Sequence, residues 1–169
     1  MDWLNILMKA SAKIKKVVHP LEPIYDEQSK VLILGSFPSV ISRKDMKYYA
    51  NKTNRFWSVM GALFEEEITD HVSFCHKHHL AMWDVIHSCT IEGSSDSSIK
   101  NVIPNDIAGL VQKTHIELIV STGKKAAALY EHYIHLDLPH ISLPSTSAAN
   151  AKMRLDELVY EYRKIKEVL

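Results

Sequence analysis

Apolar side chains recur at Trp3, Leu7, Ala10, Ile14, Val17 and Val18. Steps of three and four predict a helix over residues 3–18 that docks on the rest of the chain, with Lys9, Lys13, Lys15 and Lys16 mostly off its apolar stripe. His19-Pro20-Leu21-Glu22-Pro23 ends any helix, because proline lacks the amide donor and restricts the residue before it. Four apolar runs then read as strands: Val31–Leu34 up to Gly35, Leu80–Ile86, Glu117–Ser121 and His140–Leu143. Between them lie helical patterns over about 54–64, 70–79, 106–112 with Asn105 as cap, 124–133 and 151–168. Residues 92–98 and the polar stretch 36–53 read as loops.

Strands that alternate with helices require crossover connections, so the expected fold is a single three-layer α/β/α domain over residues 1–169 around a parallel sheet of about four strands. In such sheets ligands gather at the carboxyl ends of the strands. Those ends are Gly35-Ser36-Phe37-Pro38-Ser39, Asp84, Ser121-Thr122-Gly123 and Pro144-Ser145-Thr146-Ser147, all polar or turn-rich.

Composition narrows the class. Twenty basic residues balance twenty acidic ones, which removes the overall basic signature of many nucleic-acid binders but not a local patch. Cys75 and Cys89 cannot form a disulfide framework, no run is long enough for a membrane span, and a cytoplasmic monomer is the expectation. Gly123-Lys124-Lys125 lacks the upstream glycine and the following Ser or Thr of a phosphate loop. It still starts a helix whose free amides and lysines suit a phosphate. His71, Cys75 and His79 share a helix face but lack the remaining ligands of a zinc site, so neither a metal nor a cofactor is expected. No Gly-x-Ser-x-Gly elbow and no Gly-x-Gly-x-x-Gly fingerprint occurs.

The loop after the first strand is distinctive. Residues 43–55 hold Arg43, Lys44, Lys47, Lys52 and Arg55 against Asp45 alone, with Tyr48 and Tyr49 interleaved and Phe56 and Trp57 following. Cations mixed with aromatics suit phosphates and stacked bases, while a solvated loop with aromatics tucked into the core fits the same pattern. Glu65, Glu66, Glu67 and Asp70 offset the surplus, so non-specific DNA affinity should be modest and fall with salt.

Leu32-Ile33-Leu34-Gly35-Ser36-Phe37-Pro38-Ser39, Tyr48-Tyr49-Ala50-Asn51-Lys52-Thr53-Asn54-Arg55-Phe56-Trp57, Trp83-Asp84-Val85, Gly93-Ser94-Ser95-Asp96, Thr122-Gly123-Lys124-Lys125-Ala126 and Leu143-Pro144-Ser145-Thr146-Ser147-Ala148-Ala149-Asn150 occur in that order. Together they resemble the uracil-DNA glycosylase superfamily, most closely its hypoxanthine (deoxyinosine) DNA glycosylase branch, over roughly residues 19–150. The resemblance implies a monofunctional enzyme, free of small-molecule cofactors, acting on DNA that contains deaminated bases. It would flip the base, hypoxanthine or else uracil, and hydrolyse its N-glycosidic bond. Flipping is needed because the anomeric carbon cannot be reached inside the stack.

The same resemblance implies that Ser36, Phe37, Pro38 and Ser39 meet the base edge and that Tyr49 stacks on the base. Asp84 and Asp96 are either base readers or loop-ordering carboxylates. Arg43, Lys44, Lys124, Lys125, Ser145, Thr146 and Ser147 would grip the DNA. Phe37 departs from the pattern, since many members of the family carry Asp or Asn there to handle the water. Asn54, with Asn51 as second choice, is therefore expected to orient the water, although either can equally cap a helix or turn. Asn51-Lys52 stands where the family often has His-Pro. A DNA-binding module that lost turnover with the Phe37 position is the alternative.

Overall fold

The computed structural model describes residues 2–4 and 14–169. Its centre is a parallel sheet in the order β3-β2-β6-β7, formed by β2 (Val31–Gly35), β3 (Leu80–Asp84), β6 (Leu118–Thr122) and β7 (His140–Leu143). Every residue of β2 is buried, as expected for a central strand covered on both faces. Register pairs Gly35 with Asp84 and Ser121 with Ser142, so the carboxyl ends of all four strands finish together.

One face of this sheet, through Val31, Ile33, Leu80, Met82 and Val120, packs on three helices. These are α2 (Phe56–Phe64), α3 (His71–Lys77) and α6 (Leu155–Tyr162), contributing Phe56, Met60, Phe74, Leu158 and Tyr162. On the other face, Leu32, Leu34 and Ile119 pack against α4 (Ile107–Gln112) and α5 (Lys124–Tyr133) through Ile107, Leu110, Leu129 and Tyr130. The fold is the expected three-layer α/β/α arrangement around a four-stranded parallel sheet.

Several elements differ from the pattern reading. Residues 14–18 are not the end of a helix but strand β1 (Ile14–Val18), antiparallel to β4 (Ile86–Glu92), which in turn pairs with β5 (Lys100–Pro104). Ile14, Val17 and Val18 are β-branched and suit the strand, and Lys15 and Lys16 stay exposed on its edge. The rest of that expected helix, residues 5–13, lies outside the described residues. The run Leu80–Ile86 is two strands, with a corner at Val85 whose amide donates to Gly35 O at 2.9 Å. Asn105 does not cap α4; its Nδ2 donates to Asp84 O (2.9 Å) and Ile86 O (3.1 Å) and holds that corner, while Asp106 takes the Gly109 amide as cap. The polar stretch 36–53 contains a short helix, α1 (Val40–Asp45), capped by Ser39. The last helical stretch splits into α6 and a 3₁₀ segment over Arg163–Val168.

Candidate active site

A cavity of about 230 Å3 opens where the strand ends meet. Its wall is built from Gly35–Ser39 after β2, Asp84 at the end of β3, Thr122 at the end of β6 and Ser145–Ala148 after β7. The loop before α2 adds Tyr48, Tyr49, Asn51, Thr53 and Asn54, and the 92–98 loop adds Ser94 and Asp96. The volume lies below the roughly 300–1,000 Å3 of sites for drug-sized ligands and suits a single small planar group.

Tyr49 forms one wall. Its backbone φ is +52°, a conformation uncommon outside glycine, and it turns the ring against Phe56 at 4.0 Å between centroids and 11° between planes. One face of the ring is thus covered by Phe56, and the residue lines the cavity. Its hydroxyl meets Thr122 Oγ1 at 3.0 Å. Burial, then the nearby Asp84 charge, pushes that phenol well above its ordinary range, so it stays a neutral O–H.

Asp84 is buried at the cavity wall and receives His19 Nε2 on Oδ2 at 2.7 Å. Gly35 is required for this approach: a Cβ there would stand 2.4 Å from Asp84 Oδ1 and 3.5 Å from the Tyr49 hydroxyl. His19 entered the pattern only as the residue before Pro20. Sequence reasoning missed its role because its partner lies 65 positions away.

Asn54 and Asn51 both line the cavity, and both use their carbonyls locally. Asn54 Oδ1 accepts the Phe56 amide at 2.9 Å and the Thr146 hydroxyl at 2.8 Å. Asn51 Oδ1 accepts the Thr53 amide (3.0 Å) and hydroxyl (2.8 Å) in a tight turn. A carbonyl oxygen has two lone pairs, so each acceptor is filled, and neither Nδ2 has a partner among the described residues. The expected water-orienting chemistry is therefore available only through N–H donors.

The basic residues divide. Arg43 donates to Pro38 O (2.8 Å) and Gly93 O (3.2 Å) and lies over the Phe37 ring at 5.4 Å, which commits it to tying the loops together. Arg55, counted in the basic run, donates to Met153 O, to Ser147 O (3.2 Å) and to Asn150 O (3.0 Å). Neither guanidinium is presented as a free phosphate ligand. Lys44 and Lys124 are exposed and Lys125 half-buried, all three outside the cavity wall. Ser145, Thr146 and Ser147 do line it, with Ser145 Oγ accepting the Ser147 amide at 3.1 Å and Ser145 Cβ 3.2 Å from where a Cβ on Gly123 would stand. His71 stacks on Trp57 at 3.7 Å and Cys75 Sγ contacts Met82 Sδ, so those side chains do not converge on a metal; no metal-binding cluster is found among the described residues.

Asp96 accepts the Ser36 hydroxyl at 3.2 Å. Although the residue is largely exposed, burial of its carboxyl raises its pKa, with Ser36 and Lys125 opposing and Asp84 adding to the rise. A raised folded-state pKa means that the protonated form stabilises the fold below the unfolded value and that this contribution is lost as pH rises through the folded value. Asp96→Asn keeps the acceptor oxygen and removes the charge. Its melting temperature should match that of the unaltered protein in acid, rise above it as pH passes from the unfolded to the folded value, and keep a constant lead at higher pH. Thermal melts from pH 3 to 8 check this, and a constant offset across the series would contradict it.

Fold and cavity together define an α/β protein with a small, polar, aromatic-walled cleft at the carboxyl edge of a parallel sheet. The chain belongs to the uracil DNA glycosylase superfamily, whose family model matches residues 22–165. It is similar to the hypoxanthine DNA glycosylase of Methanosarcina acetivorans, 33% identical in an alignment 136 residues long that covers 76% of this chain and 85% of that protein. It is 28% identical to the hypoxanthine DNA glycosylase of Methanosarcina barkeri over 62% of this chain and 70% of that one. A solution NMR structure of a candidate uracil DNA glycosylase from M. acetivorans superposes with a TM-score of 0.73 at 30% identity, covering 89% of this chain and 99% of the other. No helix among the described residues is long and apolar enough to cross a membrane.

Proposed function

We propose that this protein is a monofunctional DNA glycosylase that takes a deaminated base, hypoxanthine first and uracil second, out of the duplex and hydrolyses its N-glycosidic bond. The observation that carries this reading is the cavity: a base-sized space lined by an aromatic ring, a buried carboxylate and an amide donor, in a chain related to proteins named hypoxanthine DNA glycosylase. The flipped base lies on the Tyr49 ring, and its edge meets Asp84 and the 36–39 turn. The Phe37 amide, which has no partner among the described residues, is a further donor at that turn.

The water sits on Asn54 Nδ2. That group holds the water through one lone pair and leaves another for the anomeric carbon. Bond breaking develops positive charge on the sugar and negative charge on the base; as water bonds to the cationic anomeric carbon it sheds a proton and the departing base anion takes one up, so the step balances without the strong general base that Phe37 does not supply. Ser145–Ser147 rests beside the vacated position, and Lys44, Lys124 and Lys125 meet phosphates on the rim. The protein needs no cofactor for this chemistry, and it acts as a monomer inside the cell.

The reading is tested with a duplex oligonucleotide carrying one deoxyinosine, incubated with pure protein and then treated with hot alkali. Strand scission at that position, dependent on alkali, is expected. Intact strands with deoxyinosine and deoxyuridine alike, single- or double-stranded, would overturn it. Tight binding to an abasic analogue without scission would instead identify a binding module.

A further inference from the structure

The His19–Asp84 pair has an internal polarity. Leu21 N–H donates to His19 Nδ1 at 3.2 Å. A ring nitrogen that accepts carries no proton, so the imidazole proton lies on Nε2 and is donated to Asp84 Oδ2 at 2.7 Å. Oδ2 is therefore engaged, and both partners are buried. Oδ1 meets no donor among the described residues and lies on the cavity wall above Gly35, where only a missing side chain admits it.

We propose that His19 is a positioning residue that holds Asp84 as a fixed acceptor, and that Oδ1 selects bases whose ring nitrogen carries a proton. The inference rests on the glycosylase reading above and adds its recognition chemistry. Deamination changes the ring nitrogen itself. Adenine N1 and cytosine N3 are lone-pair acceptors; in hypoxanthine and uracil the same atoms are N–H donors. A buried carboxylate oxygen gains a charge-assisted hydrogen bond from the deaminated base and faces a lone pair in the normal one. A site built around such a bond rejects the analogue that lacks it far more strongly than shape alone can. Guanine N1 and thymine N3 also carry a proton, so exclusion of these bases falls to the space around guanine's extra amino group and thymine's methyl group.

The test exploits the polarity of the pair. In Asp84→Asn the His19 Nε2–H still requires an acceptor, so the carboxamide oxygen faces His19 and its NH2 faces the cavity. The reader is thereby converted from acceptor to donor without change of shape. Wild-type protein that fails to excise hypoxanthine would overturn the glycosylase reading and is therefore measured first. With that activity present, Asp84→Asn should lose about 100-fold or more in single-turnover excision of hypoxanthine. The ranking of free hypoxanthine over free adenine as competing inhibitors should also reverse. His19→Gln, which can still donate to Oδ2, should keep most of the activity, whereas His19→Leu should lose it. In the double variant Asp84→Asn with His19→Leu the amide can turn over, and part of the lost excision should return. An unchanged hypoxanthine-over-adenine ranking in Asp84→Asn would overturn the proposal, whatever the double variant does. Equal activity of His19→Gln and His19→Leu would overturn the part assigned to His19.

Discussion

Asn54→Ala is expected to lower single-turnover excision by about 10²–10³-fold, the usual effect of deleting one donor aimed at a reacting centre. DNA affinity should change little. Stability should fall by only about 1 kcal/mol, the typical loss when a side chain that satisfies a helix N-terminal amide is removed. The two effects have different origins on one side chain. Oδ1 carries the structural duty, since it accepts the Phe56 amide and the Thr146 hydroxyl. In the proposed reaction Nδ2 holds the attacking water. Asn54→Asp separates them, because the carboxylate keeps the acceptor and replaces the amide donor. That variant should fold with near-native stability and remain as slow as the alanine variant. Full turnover in the aspartate variant would show that an acceptor suffices. Full turnover in the alanine variant would leave Asn54 with capping alone.

The largest expected loss of stability is at Arg55. Its guanidinium donates to the carbonyls of Ser147, Asn150 and Met153, and its backbone amide donates to Thr146 O at 3.0 Å. Three carbonyls of the 145–153 loop, which closes one side of the cavity, thus converge on one guanidinium, and the Thr146 hydroxyl adds its bond to Asn54 Oδ1. Hydrogen bonds from charged donors contribute about 1.5–3 kcal/mol each, and partial rehydration of the freed carbonyls returns some of that. Arg55→Ala should therefore cost about 2–4 kcal/mol in chemical denaturation and should depress excision by loosening Ser145–Ser147. Lysine cannot span three carbonyls, so Arg55→Lys should recover only a fraction. A phosphate-binding arginine behaves differently: stability is unchanged and the salt dependence of DNA binding becomes shallower. That second pattern would contradict the role given to Arg55.

Much of the fold is legible in the chain because parallel strands buried on both faces leave an unambiguous mark. Val31–Leu34, closed by Gly35, reads as a strand buried on both faces and is one, and the polar ends of four such runs mark where the cavity lies. The antiparallel sheet β1-β4-β5 is not legible. Ile14–Val18 satisfies a helical spacing as well as a strand, and only its partner, Ser88–Glu92, decides between them. The break at Val85 is equally hidden, since it depends on Asn105 reaching back to Asp84 and Ile86.

At the site, residue identities were legible but not orientations. Ser36–Ser39, Tyr49, Asn51, Asn54, Asp84 and Ser145–Ser147 all line the cavity. The inward turn of Arg43 and Arg55 was not legible, because their partners are backbone carbonyls, which leave no trace in sequence. His19 is hidden for a related reason. A histidine before a proline is ordinary, and its meaning comes from a carboxylate on another strand.

The activity proposed for the cavity is release of a deaminated base with the DNA backbone left whole. The most direct measurement is chromatographic quantification of free base and of abasic sites from one reaction, using a duplex with a single deoxyinosine and enzyme in excess. Free hypoxanthine equal in amount to the abasic sites formed, with uncut strands before alkali and no adenine released from the matched control, is the predicted result. Strand cleavage without free hypoxanthine, or no hypoxanthine at all under conditions where the protein is folded and binds the duplex, would contradict it.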